Sequence, residues 1–577
     1  MPVHNSDISE IFNKIADLLE IKDANPFRIR AYRNAARTVK SLSKSVADMI
    51  EQEKDLSKFP GIGKDLANKI GTIVETGTLP LLKELEKDVP PELSQMMKIQ
   101  GMGPKKTKVI YKKLGIKSTD ALLQAAKNEK IQHLPGFGKK TEKEIIEEVE
   151  RMKKQKKGGV ERMKLAKAEQ IAEPFLNHLK KEKGIKDIII AGSYRRRKET
   201  VGDLDILVTC KKGSSVMDRF VNYEDVEKVI SKGNTRSSVF LRSGLQVDLR
   251  VVPEVSYGAA LHYFTGSKEH NIAIRKKGVK KKLKINEYGV FKGEKRIAGK
   301  TETEVYKQVN LPYFEPELRE NRGEIEAAQK DKLPHLITLD DIKGDLHVHT
   351  KYTDGRYSIE EMAQAAKEHH YHYLAITDHS KQVRVAKGLD TKRLRKQIEE
   401  IDHINQKIKD IQILKSIELD ILENGSLDLP DEVLKELDLV LCSIHSKFNL
   451  TQEKQTKRII KAMDNPYFNI LCHPSGRLIN ERKPYELNME KVMKAAKERG
   501  CYLELNSHPD RLDLHDVHCK MAKEMGIKLA ITTDAHSIND LNLIKFGIGQ
   551  ARRGWLEPED VLNTKNWKEL KKFLKRK

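Results

Sequence analysis

Over the first 150 residues, apolar positions recur at helical spacing, as in Ile8, Ile11, Phe12, Ile15, Leu18 and Leu19, which predicts packed amphipathic helices. Short Gly/Pro turns interrupt this pattern. Three of them resemble one another: FPGIGKDLANKI (59–70), IQGMGPKKTKVI (99–110) and LPGFGKKTEKEI (134–145). The charged stretch RMKKQKKGGVERMK (151–164) then reads as a solvated helix end with a Gly-Gly joint. From 188 to 252 the pattern changes to short β-rich runs, IIIAGSY, DLDILVTC and LQVDLRVVP, bounded by turns. Residues 255–318 mix helix and strand, and the polar run ELRENRGEIEAAQKDKLPHL reads as a linker. Beyond it GDLHVH, YLAIT, LDLVLCSIH, FNILCHP, CYLELN and KLAITTDAH alternate with helical stretches. That alternation predicts an α/β domain of barrel type.

At 577 residues the chain exceeds one hydrophobic core, so several domains are expected. The net charge of +23 is unevenly placed: residues 1–300 hold 62 Lys and Arg against 39 Asp and Glu, and the remainder 46 against 46. A basic first half implies a polyanionic partner, nucleic acid first of all. Histidine runs the other way, with 5 of 19 before residue 300 and 13 between His347 and His536. Two chemistries in one chain are indicated. The five scattered cysteines contain no CxxC pair, which argues for a reducing compartment and against a disulfide frame. MPVHNSDISEIFNKIADLLE lacks an apolar leader core, and no apolar run reaches the roughly 20 residues a membrane span needs. A cytoplasmic, soluble chain without membrane contact is the expectation.

Each repeated turn carries Gly-x-Gly before a basic helix. Gly61/Gly63, Gly101/Gly103 and Gly136/Gly138 would let phosphates approach the backbone at a helix start, a helix-hairpin-helix grip that reads no sequence. In AGSYRRRKETVGDLDILV (191–208), Asp203 and Asp205 stand at i and i+2 of a predicted strand and so share a face. Asp248 in LQVDLRVVP supplies a third carboxylate, and the set suits two divalent ions. Upstream, Gly192-Ser193 and Arg195–Arg197 offer a grip for a triphosphate.

This G-S-x(9)-D-x-D pattern, with YFTGSKEHNIAIRKKG (263–278), INEYGVF (285–291) and NPFRIRAYRNAA (25–36), resembles the nucleotidyltransferases of DNA polymerase family X over roughly residues 1–318. The resemblance implies a helical DNA-end-binding domain (1–90), helix-hairpin-helix fingers (91–160), a nucleotidyltransferase palm (161–254) and a thumb (255–318), followed by a linker at 319–339. It further implies Gly192, Ser193, Arg196 and Gly266 at the triphosphate, Tyr263 and Phe264 at the sugar, and Asn271 and Arg275 at the nascent pair. Lys69 matches the family's Schiff-base lysine. Asp65 replaces a second lysine and Lys268 an acid, departures that bear on lyase activity and nucleotide affinity.

In the last part, GDLHVHTKYTDG places His347 and His349 on one strand face with Asp354 after them. His379, Glu418, His445, His473, Asp534 and His536 follow at predicted strand ends, a donor set for a multinuclear centre. His369, His370 and His372 fall on a predicted helix and read as surface residues. The HxH, TDH, HP and DAH combination resembles the polymerase-and-histidinol-phosphatase (PHP) domain over 340–577, a distorted (β/α) barrel, and all nine positions match that family's metal ligands. A polymerase core before a PHP domain resembles the bacterial and archaeal PolX family. The resemblance implies gap filling with dNTPs on gapped or nicked DNA during repair, with Mg²⁺ or Mn²⁺ in the palm. It also implies 3′→5′ exonuclease activity at a Mn²⁺ and/or Zn²⁺ centre in the PHP domain, in a monomer. End processing, as AP endonuclease or 3′-phosphatase, is a further implication. Rival readings are a nuclease with a vestigial polymerase, a DNA-end scaffold and a small-molecule phosphatase.

Overall fold

The computed structural model describes residues 5–575 except 43–45, 60, 91, 98, 100, 101, 140, 144, 147, 148, 150–161, 212 and 213. Gly101 and most of the charged stretch 151–164 therefore lie outside the described residues. The chain divides into two compact units, 1–161 and 162–577.

The first unit is helical. Asn5–Ile21, Pro26–Ser41, Lys64–Thr76, Pro80–Asp88, Pro104–Leu114 and Thr119–Lys127 bury one apolar face each. One apolar cluster runs from Ile8 and Phe12 through Tyr32 and Ile70 to Val149. Starts are set by local chemistry: Asn25 caps the second helix through Phe27 N, with Pro26 in its first turn. Gly77 and Gly115, both left-handed, end two others.

The second unit opens with a five-stranded sheet ordered Ile185–Ile190, Asp203–Cys210, Gln246–Val251, Arg236–Leu241 and Val226–Lys232. The edge strand Val226–Lys232 and its neighbour Arg236–Leu241 escape the sequence pattern. The first is nearly all solvent-facing, so it carries no apolar alternation. Asp203–Cys210 and Gln246–Val251 pair in parallel, which sets Asp205 beside Asp248. Residues 257–318 add the helices Tyr257–Thr265 and Lys268–Lys280 and a three-stranded antiparallel sheet.

The polar run after 318 is not a solvated linker. Arg319 is fully buried and paired with Glu302, Glu324 is fully buried against His270, and Glu324–Ala328 forms a short helix. Its charges mimic a linker in sequence but are satisfied internally.

The last 230 or so residues form parallel strands with helical crossovers. The ladders make two sheets: Gly344–Val348, Tyr373–Ile376, Gln412–Lys415; and Glu418–Asp420, Leu441–Ser443, Ile470–Leu471, Tyr502–Asn506, Leu529–Thr532. Isolated bridges His379–Glu418 and Val348–Ala535 join them, so the expected barrel is a broken ring rather than one continuous ladder. Most of its strand residues are buried on both faces, as parallel strands covered by helices must be. Gln412–Lys415 and Glu418–Asp420 were not among the expected strand runs, because Lys415 and Ser416 break the apolar run between them. His369 caps the helix Ile359–Glu368, and His370 and His372 follow in the turn. They lie just past the helix rather than on it, with His370 and His372 exposed.

Candidate active sites and their support

In the helical unit, the first glycines of two described hairpins, Gly61 and Gly136, share φ +82, a conformation that favours glycine. A Cβ on Gly61 would also meet Asn34 Cβ at 3.2 Å. The second glycines Gly63 and Gly103 stand at the starts of Lys64–Thr76 and Pro104–Leu114, with no side chain capping either helix. Their first-turn N–H groups are thus left for an external acceptor. Gly138 precedes the third helix in the same way. Lys69 Nζ lies 2.5 Å from Asp65 Oδ2 and 5.3 Å from the Tyr32 ring centroid. Burial lowers its pKa, but the contacts with Asp65 and Tyr32 outweigh burial and raise it. A lysine so held is a cation, not a free amine.

In the second unit Asp203, Asp205 and Asp248 share one end of the parallel pair. Asp248 accepts from Ser238 Oγ and from Gln246 Nε2, the latter at 3.0 Å. Burial, then the charges of Asp203 and Asp248, push Asp205 up to about 7. Burial and Asp248 raise Asp203, against the pull of Arg162. Crowded carboxylates whose protons are this hard to remove are suited to a divalent cation, which relieves the repulsion. Gly192, at φ +63, lets the next loop approach: a Cβ there would stand 3.1 Å from Asp205 Oδ2.

That loop carries the three arginines, and they differ. Arg195 donates to both Glu302 oxygens at 2.9 and 2.7 Å and to Thr265 Oγ1 at 2.7 Å, which commits it to structure. Arg197 faces Glu169 at 3.6 Å. Arg196 gives Nε to Glu320 at 3.0 Å and Nη1 to the Thr265 carbonyl at 2.5 Å, keeping Nη2 uncommitted among the described residues. Ser193 lies on the same turn, 3.5 Å from Arg162 Nη2. Gly266, at φ +69, would place a Cβ 3.2 Å from Arg196 Nη1. Tyr263 and Phe264 meet edge to face at 5.1 Å, and Arg250 covers the Phe264 ring. Asn271 donates to the Tyr263 carbonyl at 2.7 Å and leaves its buried Oδ1 unpartnered, while Arg275 sits a turn further along the same helix.

At the strand ends of the last domain all nine expected donors converge. His349, Asp354, His379 and His536 offer one ligand atom each within 4.8 Å of one another, as do His347, His349 and Asp534, and His379, Glu418 and His445. His473 Nε2 lies 2.8 Å from Glu418 Oε1. Among the described residues every such group of three or more falls in this domain. His347 and His349 are fully buried; His349 Nδ1 makes no hydrogen bond, with Asp354 Oδ1 3.7 Å away, and Glu418 Oε2 lies 2.7 Å from His379 Nδ1. A buried ring nitrogen left without a hydrogen bond is costly without a cation. His473 and Asp534 are held at φ 26 and 54, strain that the surrounding fold must impose. Burial disfavours the charged form of His379, His445 and His536, yet the carboxylates around them raise these pKa values to about 10, 9 and 9.

Two supporting acids escaped the sequence reading. Glu504, fully buried, accepts His347 Nδ1 at 2.6 Å, His473 N at 2.5 Å and Thr532 Oγ1 at 2.6 Å. Asp420, also buried, lies 3.2 Å from His445 Nδ1. Both are of the type that orients a ligating imidazole. Their only sequence signal was an acid within an apolar strand, in YLELN and IELDI.

Three carboxylates beside an arginine-bearing turn, in one chain with a histidine-rich cluster of candidate metal ligands, are the arrangement of a two-site nucleotidyltransferase. Residues 162–261 match the DNA polymerase beta palm family and 260–320 the DNA polymerase beta thumb. Residues 3–79 match a helix-hairpin-helix domain, 93–151 a SAM-like helix-hairpin-helix tandem and 345–508 the PHP domain. The chain is 39% identical over 579 residues to the "DNA polymerase/3'-5' exonuclease PolX" of Bacillus subtilis (strain 168), covering all of both chains. It therefore belongs to the PolX family of family X DNA polymerases. DNA polymerase lambda of Rattus norvegicus is 25% identical over 352 residues, 55% of this chain and 56% of that one. A protein of Thermoanaerobacter sp. (strain X514) named "Probable phosphatase" is 34% identical over 244 residues, 40% of this chain and 94% of its own. Among the described residues no helix is long and apolar enough to cross a membrane.

Proposed function

We propose that this chain is a DNA-directed DNA polymerase that fills short gaps in repair and trims 3′ ends through a 3′→5′ exonuclease in its PHP domain, acting on gapped DNA as a monomer. The observation that supports the reading is Asp205 in register with Asp248 on parallel strands, together with a separate histidine-rich donor cluster, in a chain similar to PolX along its whole length. Divalent cations at these sites, Mg²⁺ or Mn²⁺ in the palm and Mn²⁺ and/or Zn²⁺ in the PHP domain, would supply charge neutralisation at phosphorus and acidify a bound hydroxyl or water. Asp203, Asp205 and Asp248 hold the palm ions. Ser193 and Arg196 bind and orient the triphosphate, Arg196 through the Nη2 left free by its other contacts. The Tyr263–Phe264 pair forms the sugar wall, and Asn271 and Arg275 face the nascent pair. In the PHP domain the nine donors hold the ions, while Glu504 and Asp420 keep His347 and His445 turned toward them.

The hairpins built on Gly61/Gly63, Gly101/Gly103 and Gly136/Gly138 grip backbone phosphates without reading bases. For Lys69 a phosphate contact is favoured over Schiff-base catalysis, because Asp65 keeps the amine protonated. The test is primer extension and primer degradation by the full chain. Asp203→Ala plus Asp205→Ala should abolish nucleotide addition and leave the exonuclease; His347→Ala plus His349→Ala should do the reverse. Extension surviving the first pair, or wild-type degradation by the second, refutes the assignment.

A further inference from the structure

The triphosphate loop is held from the PHP side as well as from the palm. Arg553 ends the helix Ile544–Arg553 and is buried, so it cannot touch DNA. Its Nη1 donates to the Arg196 carbonyl at 2.8 Å and to Glu320 Oε1 at 2.9 Å; its Nη2 donates to Asp516 Oδ2 at 2.7 Å. The Glu320 oxygen it holds is the same one that accepts Arg196 Nε. Burial favours a neutral Glu320, but Arg553 and Arg196 overcome this and hold its pKa at about 2. Asp516 is fixed in turn by Arg322 at 3.0 Å.

The surrounding contacts repeat the theme. Arg477 donates to Glu199 at 2.7 Å, and Lys164 reaches Asp510 and Glu481, each at 2.6 Å. Leu165, Ala168 and Val201 share an apolar cluster with Ile479, Leu512 and Phe546. A Cβ on Gly549 would stand 3.2 Å from Arg197 Cβ, so the helix backbone presses on the loop itself.

We infer that Arg553 is a positioning residue for nucleotide addition: through Glu320 and the Arg196 carbonyl, the PHP domain sets the guanidinium that receives the incoming triphosphate. The Arg196 side chain is only 12% exposed and leans on Glu320 and the Thr265 carbonyl; an arginine without such contacts samples many rotamers and loses that freedom on binding. With Nε and the backbone carbonyl both clamped, the Nη2 edge is set before the nucleotide arrives. The PHP domain is then part of the polymerase's nucleotide pocket as well as the second enzyme. This rests on the reading that Arg196 contacts the triphosphate.

The test is steady-state single-nucleotide gap filling by the full chain with Mg²⁺ and one dNTP, beside Mn²⁺-dependent primer degradation by the same preparations. Arg553→Met should raise KM for the dNTP about tenfold, the scale of one misplaced charge-assisted contact, with kcat and the exonuclease rate within about twofold of wild type. Arg553→Lys, which keeps the charge but cannot span three acceptors, should give an intermediate KM, and it carries the test if the methionine variant does not fold. Arg196→Ala should raise KM by itself, and adding Arg553→Met to it should change nothing more. An unchanged KM in both Arg553 variants overturns the inference, as do additive effects in the double variant or a parallel fall of both activities. If Arg196→Ala leaves KM unaltered, the reading of Arg196 fails first, a separate and recognisable outcome.

Discussion

Glu504→Gln isolates the acid that supports the PHP centre without removing a proposed ligand. Glu504 Oε1 accepts His347 Nδ1 and Thr532 Oγ1, both at 2.6 Å, and Oε2 accepts His473 N at 2.5 Å and Asn506 Nδ2 at 3.3 Å. All four partners are donors. A carboxamide must turn its NH₂ toward one pair, so buried donors face donors at a cost of about 1–3 kcal/mol. The charge that fixes the His347 tautomer is lost as well. Losing such support typically weakens metal binding about 10–100-fold, or about 1.4–2.7 kcal/mol. The measurement is exonuclease rate against Mn²⁺ concentration. The half-saturating Mn²⁺ should rise by that factor, with the rate recovered at saturation and gap filling unchanged. Cys472→Ser is the control. Cys472 lies near His347 and Glu504, where burial and then Glu504 push its thiol pKa well up in the absence of a cation. An unchanged Mn²⁺ midpoint in Glu504→Gln would refute the orienting role. A shift in Cys472→Ser as large as that in Glu504→Gln would make the Cys472–Glu504 pair direct ligands instead.

Three further outcomes are expected. With Asp205 held near pH 7 by burial and its neighbours, cations compete with a proton, so the half-saturating Mg²⁺ for extension should rise about tenfold per unit below pH 7; a midpoint independent of pH between 6 and 8 contradicts this. Burial raises Glu302, but Arg319 and Arg195 bring it down to about 2 from an ordinary 4.5, which adds up to about 3 kcal/mol of stability above pH 4.5 that is lost as pH falls toward 2. Glu302→Gln should therefore melt well below wild type at pH 7, and the gap should narrow by pH 3; a constant gap would remove the linkage. For Lys69, borohydride should trap little adduct with a 5′-deoxyribose phosphate end in the wild type, and Asp65→Asn should increase it by freeing the amine. Strong wild-type trapping that vanishes in Lys69→Ala would restore the lyase reading.

The helical unit, the carboxylate strand and the nine PHP donors were legible because each rests on a local pattern: helical spacing, a two-residue alternation, or a ligand at the end of an apolar run. What escaped rests on pairing across the chain. The edge strand Val226–Lys232 has no buried face to leave an alternation. The run after 318 looks like linker because its charges are many, yet Arg319 is satisfied by Glu302 and the Phe314 carbonyl in the interior. Glu504 and Asp420 were hidden among apolar strand neighbours, where a single acid carries no spacing of its own.

Long-range pairing also changes what the charge count means. Arg195 meets Glu302 at a separation of 107 residues, Arg196 meets Glu320 at 124, and Arg553 reaches the Arg196 carbonyl at 357. Lys164 of the basic half is neutralised by Asp510 and Glu481 of the balanced half, while Arg477 of the balanced half goes to Glu199 of the basic half and Arg553 to Glu320 within its own half. The even balance after residue 300 is therefore not a neutral, solvated surface. Part of it is spent on fixing the loop that presents Arg196. A charge buried in such a pair is dear to break, because the partner left behind keeps its desolvation cost. The pairs around residues 192–199 thus make the loop stiff at the one place where a flexible, charged side chain would otherwise have to be ordered by the substrate. That stiffness links the two catalytic halves more tightly than their separate donor sets imply.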